Sequence, residues 1–127
     1  MTFFYKNVYF EDTATIVGPY EKKGPLGNKF DKSYDDFYCN EKSFELAEVR
    51  LMEESIEILL RKSRKSGKDI DLIIGGDLLN QITATSYAVK KFNIPHLGIY
   101  SACTTSTEGI LIASSLIDKN YIKSAIV

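Results

Sequence analysis

Cys103 stands in "GIYSACTTSTEG", residues 98–109, where an apolar stretch runs straight into a helical pattern; Thr104, Thr105, Ser106 and Thr107 follow it in succession. A helix N-terminus presents unpaired backbone N–H groups and about half a unit of positive charge, which favours a thiolate or a bound carboxylate. Thr105 and Glu108 have the T-x-x-E spacing of a capping box, so the first helical turn is expected immediately after the cysteine. The residue types offer two chemistries: nucleophilic attack by Cys103, or capture of an anion by N–H and hydroxyl donors. A third possibility is a small residue that merely fits a tight strand-to-helix turn, as most single cysteines do. Attack needs a base within hydrogen-bond reach, and the sole histidine, His96, starts the same strand. At ~3.3 Å per residue it lies about 20 Å from Cys103, too far to serve it within one chain.

The preceding strand-to-helix crossing, "GGDLLNQ", falls on the same edge. Asp77 and Asn80, with Gln81 at less weight, either line the same pocket as Cys103, Thr104, Thr105 and Ser106 or cap the second helix; the residues alone leave these two roles level. Gly75 and Gly76 allow a close backbone approach or a tight turn and do not by themselves make a phosphate loop. Cys39, Cys103 and His96 fall at no zinc-ligand spacing, so neither a metal nor a cofactor is expected, and Cys39 and His96 receive no role.

These groups can act together only if the fold brings both crossings to one edge. Val8–Phe10 and Thr13–Val17 are β-branched and aromatic up to Gly18-Pro19 and read as an opening strand or pair of short strands. Residues 18–40 follow as a long connection whose Phe30, Tyr34, Phe37 and Tyr38 either pin it as a structural loop or fold over the pocket mouth or a partner. Ser43 precedes Phe44, Ala47, Leu51, Ser55, Ile58 and Leu59 at spacings of three and four, an amphipathic helix closed by the basic run Arg61–Lys68 and by Gly67. "DIDLIIGG" is then a strand, "DLLNQITATSYAVKKFN" a helix, "HLGIYSA" a strand, "TSTEGILIASSLIDKN" a helix and "KSAIV" a strand. This alternation predicts an α/β fold with a mostly parallel sheet and crossover helices, its chemistry at the edge where strands end and helices begin.

At 127 residues with 44% hydrophobic and 12% aromatic side chains the chain can bury one core. Its 16 basic and 17 acidic residues, net −1, give no overall field for nucleic acid or an anionic membrane. Two cysteines suit a reducing compartment, and there is neither a cleavable signal nor a run of the ~18 apolar residues that a membrane span needs. One feature is out of balance. "GILIASSLI", residues 109–117, is apolar or small nearly all round, so it should be buried on both sides, whereas a single sheet covers only one. Another part of a longer protein or a partner chain is expected to cover the rest.

"VGPYEKKGPLGNKFDKSYDD", "DIDLIIGGDLLNQI" and "GIYSACTTSTEG" resemble the stage V sporulation protein AD family of the thiolase-like superfamily, from about Val8 to Val127. The resemblance implies the N-terminal half of a thiolase-like αβαβα fold. Residues 1–127 would then be an incomplete domain lacking its C-terminal half, with the helix after Cys103 packed between two sheets. It implies a non-catalytic protein that binds dipicolinic acid and supports its uptake into the developing spore. It would be cytoplasmic or peripheral at the inner spore membrane and work with other stage V sporulation membrane proteins. In related acyltransferases of the thiolase and ketoacyl-synthase class, the residue matching Cys103 carries the acyl group and its activating histidines come from the C-terminal half. Acyl transfer through Cys103 is therefore the alternative to binding, and binding needs no base.

Overall fold

A computed structural model describes residues 2–127, with the side chain of Asn80 outside the description. The apolar run before Gly75 becomes β3 (Leu72–Gly75), the centre of a three-stranded sheet between β4 (His96–Gly98) and β5 (Ala125–Ile126), and both pairings are parallel. Successive strand residues point to opposite faces, so Ile73 and Ile74 seed separate cores. Ile73 joins Ile56, Ile70, Val89, Ile94 and Ile126 beneath α2 (Phe44–Lys62) and α3 (Thr83–Lys90). Ile74 joins Ile99 and Ala113 beneath α4 (Thr105–Asp118). Helices thus cover both faces of a parallel sheet, the α/β arrangement that the alternating pattern predicts. Among the described residues no helix is long and apolar enough to cross a membrane.

Helix α2 begins as its sequence requires, with Ser43 Oγ accepting the Leu46 N–H at 3.3 Å. It ends earlier than expected. Arg64 takes the left-handed conformation (φ 56°), and the Lys65 N–H returns to the Leu60 carbonyl at 2.9 Å, the closure expected of Gly67. Gly67 instead opens a 3₁₀ turn, Gly67–Asp69, where Ser66 and Asp69 form a capping box.

The opening strands need correction. Only Ile16–Val17 forms a strand, β1; it pairs in parallel with β2 (Lys32–Ser33) in a separate two-stranded sheet, while Val8–Phe10 is irregular. The short helix α1 (Pro19–Lys23) lies between them, so residues 18–40 are a folded layer rather than a loop. An apolar cluster of Tyr34, Cys39 and Ile16 with Ala47 and Leu51 of α2, together with charge, holds this layer on α2. Lys32 Nζ donates to both Glu54 carboxylate oxygens at 2.7 Å, the Tyr34 hydroxyl donates to Glu54 at 2.5 Å, and Lys62 Nζ donates to Asp31 at 2.9 Å and to the Thr13 carbonyl at 2.6 Å. Burial pushes the Glu54 carboxyl up, but the bonds from Lys32 and Tyr34 outweigh it and hold the group below the ordinary carboxylate range.

Helix α4 buries Gly109, Ala113 and Ser114 against the sheet. Its other flank is crossed by the N-terminal segment: the Tyr5 hydroxyl and Ser115 Oγ share a hydrogen bond at 2.9 Å, and the Lys6 N–H donates to Asp118 Oδ1 at 3.1 Å. Leu111 stays 40% exposed. The expected burial on both sides is therefore met on the sheet side and only in part on the other.

Candidate functional site

Gly75 lies opposite Gly98 in the parallel register, so β3 and β4 finish on one edge and both crossings start there. The two crossings touch closely. A Cβ on Gly76 would stand 1.8 Å from the Ile99 carbonyl oxygen, and the Ile99 N–H donates to the Gly75 carbonyl at 2.9 Å. Gly76 therefore serves the close backbone approach expected of the pair, a contact that forbids any side chain.

Cys103 is exposed in a 3₁₀ turn, Ala102–Thr104, that leads directly into α4, so the thiol does sit at the helix start. The backbone is strained immediately before it: Ala102 has φ 47°, a conformation that costs a residue bearing Cβ roughly 1–2 kcal/mol. The Thr105–Glu108 capping box does not form, because Thr105 is already helical and its hydroxyl donates back to the Ala102 carbonyl at 2.8 Å. Thr104 donates in the same way to the Ser101 carbonyl at 2.7 Å, and Thr107 to the Thr104 carbonyl at 2.9 Å. Three of the four hydroxyls thus knit the turn and are not offered as donors. Ser106, exposed at the second helical position, makes no side-chain bond among the described residues and remains to meet an anion, whereas the N–H groups of Thr104 and Thr105 are taken by the Ser101 and Ala102 carbonyls of the 3₁₀ turn.

A cavity of about 330 Å³ lies at this seam, lined by Ile74, Gly75, Gly76, Ala102, Cys103, Thr105, Ser106 and Val127. Sequence patterns single out the cysteine, hydroxyl and glycine members but miss Ile74, Ala102 and Val127, which enter only through tertiary packing. A larger, mostly apolar groove of about 1040 Å³ runs from the same glycines and Ser106 beneath residues 8–15 toward α2 and β5.

Asp77 does not line the seam. It is 6% exposed, and its carboxylate accepts the Leu79 N–H at 2.8 Å, the Thr85 N–H at 2.7 Å and the Thr85 hydroxyl at 2.8 Å. Thr85 is the third residue of α3, so Asp77 caps that helix from a distance, and the capping role prevails over the pocket role. Helix α3 starts at Thr83 rather than at Asp77 because Gln81 (φ 62°) and Ile82 (φ 56°) are left-handed within the preceding 3₁₀ turn, Asn80–Ile82. Gln81 is exposed there and outside the seam lining; the side chain of Asn80 lies outside the described residues. Burial, and after it the negative charge of Asp77, push the Glu48 carboxyl on α2 up. His96 is at the far end of β4 from Cys103, and its buried Nε2 finds no hydrogen-bond partner among the described residues.

The seam therefore combines an exposed thiol, a helix N-terminus and Ser106 around a small cavity, while Asp77 is turned inward to cap α3. The family model for stage V sporulation protein AD matches residues 1–127. Stage V sporulation protein AD of Bacillus subtilis (strain 168) is 43% identical over 119 residues, which are 94% of this chain and 35% of that protein. The chain thus spans about a third of the length of this curated relative.

Proposed function

The chain belongs to the stage V sporulation protein AD family, and from that membership we propose that it binds dipicolinic acid at the Cys103 seam, without catalysis, and so supports uptake of the acid into the developing spore. It works peripherally at the inner spore membrane with other stage V sporulation membrane proteins and with a C-terminal half supplied by further polypeptide. The observation that carries the binding role is the start of α4, where Ser106 lines a cavity shared with Gly75 and Gly76. Dipicolinate is a small, flat dianion. One of its carboxylates suits the positive end of a helix and the free Ser106 hydroxyl. The remaining donors come from the polypeptide that completes the domain.

Calorimetric titration with dipicolinate, on this chain and on a full-length relative, tests the assignment. Saturable heat that survives Cys103→Ser is the expected result. Absence of heat in both proteins ends the proposal.

Exposure of Cys103 directly before α4 favours acyl transfer as the second reading. Cys39 is no reference for its reactivity, being 2% exposed with its thiol pushed up by burial, so it would lag whatever Cys103 does. The comparison belongs with a free thiol. Iodoacetamide alkylation of Cys103 about tenfold faster than that of N-acetylcysteine at neutral pH would favour the acyltransferase, and an equal or slower rate would favour binding alone.

A further inference from the structure

The turn that leads into α4 is closed on itself by hydrogen bonds. The Ser101 carbonyl accepts the Thr104 N–H at 3.0 Å and the Thr104 hydroxyl at 2.7 Å, and the Ala102 carbonyl accepts the Thr105 N–H and, at 2.8 Å, the Thr105 hydroxyl. The hydroxyl oxygens of Ser101 and Thr104 lie 2.6 Å apart. A hydroxyl has one proton to give, and that of Thr104 goes to the Ser101 carbonyl, so Ser101 donates to Thr104. These bonds enclose Ala102 in the left-handed conformation. Left-handed Arg64, Asn93 and Asn120 follow the ends of α2, α3 and α4, where such a residue ordinarily closes a helix. Ala102 stands before a helix, and alanine does not adopt this conformation readily. The bonds from the Ser101, Thr104 and Thr105 hydroxyls are exposed to water, which offers each hydroxyl an equivalent partner, so they add little to the stability of the fold. What they fix is the direction in which the chain leaves buried Ile99 and enters α4, with Cys103 and Ser106 lining the cavity.

We propose that Thr104 and Thr105 are positioning residues of the seam: their hydroxyls hold Ala102 left-handed, and that turn sets Cys103 and Ser106 beside the cavity. Each hydroxyl acts through the carbonyl to which it donates and not on the ligand. This deepens the dipicolinate reading given above and rests on it.

Thr104→Val with Thr105→Val removes both hydroxyls and keeps the shape of the side chains, whereas Thr104→Ser with Thr105→Ser keeps the hydroxyls. The two double variants thus separate the hydrogen bonds from the packing, and both positions lie outside the buried core. Hydrogen exchange across residues 101–106, read by mass spectrometry, and calorimetric titration with dipicolinate test the proposal on the whole chain. The valine variant is expected to exchange the Thr104 and Thr105 N–H groups about tenfold faster than the wild type. It should bind dipicolinate about tenfold more weakly, because the seam is no longer held ready, with a thermal midpoint close to that of the wild type. The serine variant should match the wild type in all three measurements. Wild-type affinity in the valine variant would overturn the positioning role and leave dipicolinate binding standing. So would a loss of affinity that the serine variant shares, or one that goes with a lower thermal midpoint. Absence of heat from the wild type would overturn both.

Discussion

Three donors converge on the Asp77 carboxylate, the N–H groups of Leu79 and Thr85 and the Thr85 hydroxyl, in a place that water scarcely reaches. Removing the carboxylate leaves those groups buried and unpaired. Asp77→Ala should therefore lower stability by about 2–3 kcal/mol, read as a lower urea midpoint. His96 presents the opposite case, a buried Nε2 with no partner among the described residues, so His96→Leu should be neutral or should stabilise by up to about 1 kcal/mol in the same assay. At this scale the sequence identifies residue types better than their partners. Cys103 and Ser106 are where their spacing puts them, but the hydroxyls of Thr104 and Thr105 turn back onto carbonyls, and Asp77 serves α3. The choice between a local backbone acceptor and a ligand depends on angles that residue order does not encode.

Gly75 and Gly76 are adjacent in sequence and differ in what surrounds them. A Cβ on Gly75 meets nothing nearer than Thr85 Cγ2 at 3.8 Å, while one on Gly76 would collide with the Ile99 carbonyl, and that carbonyl belongs to the neighbouring crossing. Gly75→Ala should therefore leave the thermal midpoint nearly unchanged, whereas Gly76→Ala should cost more than about 3 kcal/mol or abolish cooperative melting. The layer of β1, α1 and β2 is held by the Tyr34, Cys39 and Ala47 cluster and by charge, and the charged part makes its attachment pH-dependent. The Glu54 carboxyl lies below its unfolded value in the folded chain, so its stabilising contribution is complete above the unfolded value, about 4.3, and disappears as pH falls through the lower folded value. Urea midpoints measured from pH 7 down to pH 3 should fall at the acid end, and Glu54→Gln should flatten that slope. The elements α2, β3, α3, β4 and α4 are legible in kind and order because apolar spacing, Ser43 and the paired glycines agree with one another. Val8–Phe10 is β-branched and aromatic yet irregular, because a strand also needs an edge to pair with, and local composition does not supply one.

For the molecule as a whole, helices on both faces of a parallel sheet are what the alternating pattern foretells, whereas the separate N-terminal layer is not. Its polar attachment runs through Lys32, Tyr34, Glu54, Asp31 and Lys62, pairs separated by 20 residues or more that leave no periodic trace, beside the apolar cluster of Tyr34, Cys39 and Ala47. The 40% exposure of Leu111 and the exposed Phe4, Phe10, Tyr20 and Tyr121 leave much apolar surface in water for a chain of this size. Sedimentation at tens of micromolar should show self-association, and a monodisperse monomer that melts cooperatively would contradict that expectation. The central claim, an anion held at the start of α4, is tested most directly by titrating dipicolinate into the wild type and Ser106→Glu side by side. A glutamate at the second helical position suits the helix dipole, so the fold should persist while the added charge repels the dianion. Saturable heat from the wild type and none from Ser106→Glu is the predicted result; equal heats from the two would contradict binding at this seam.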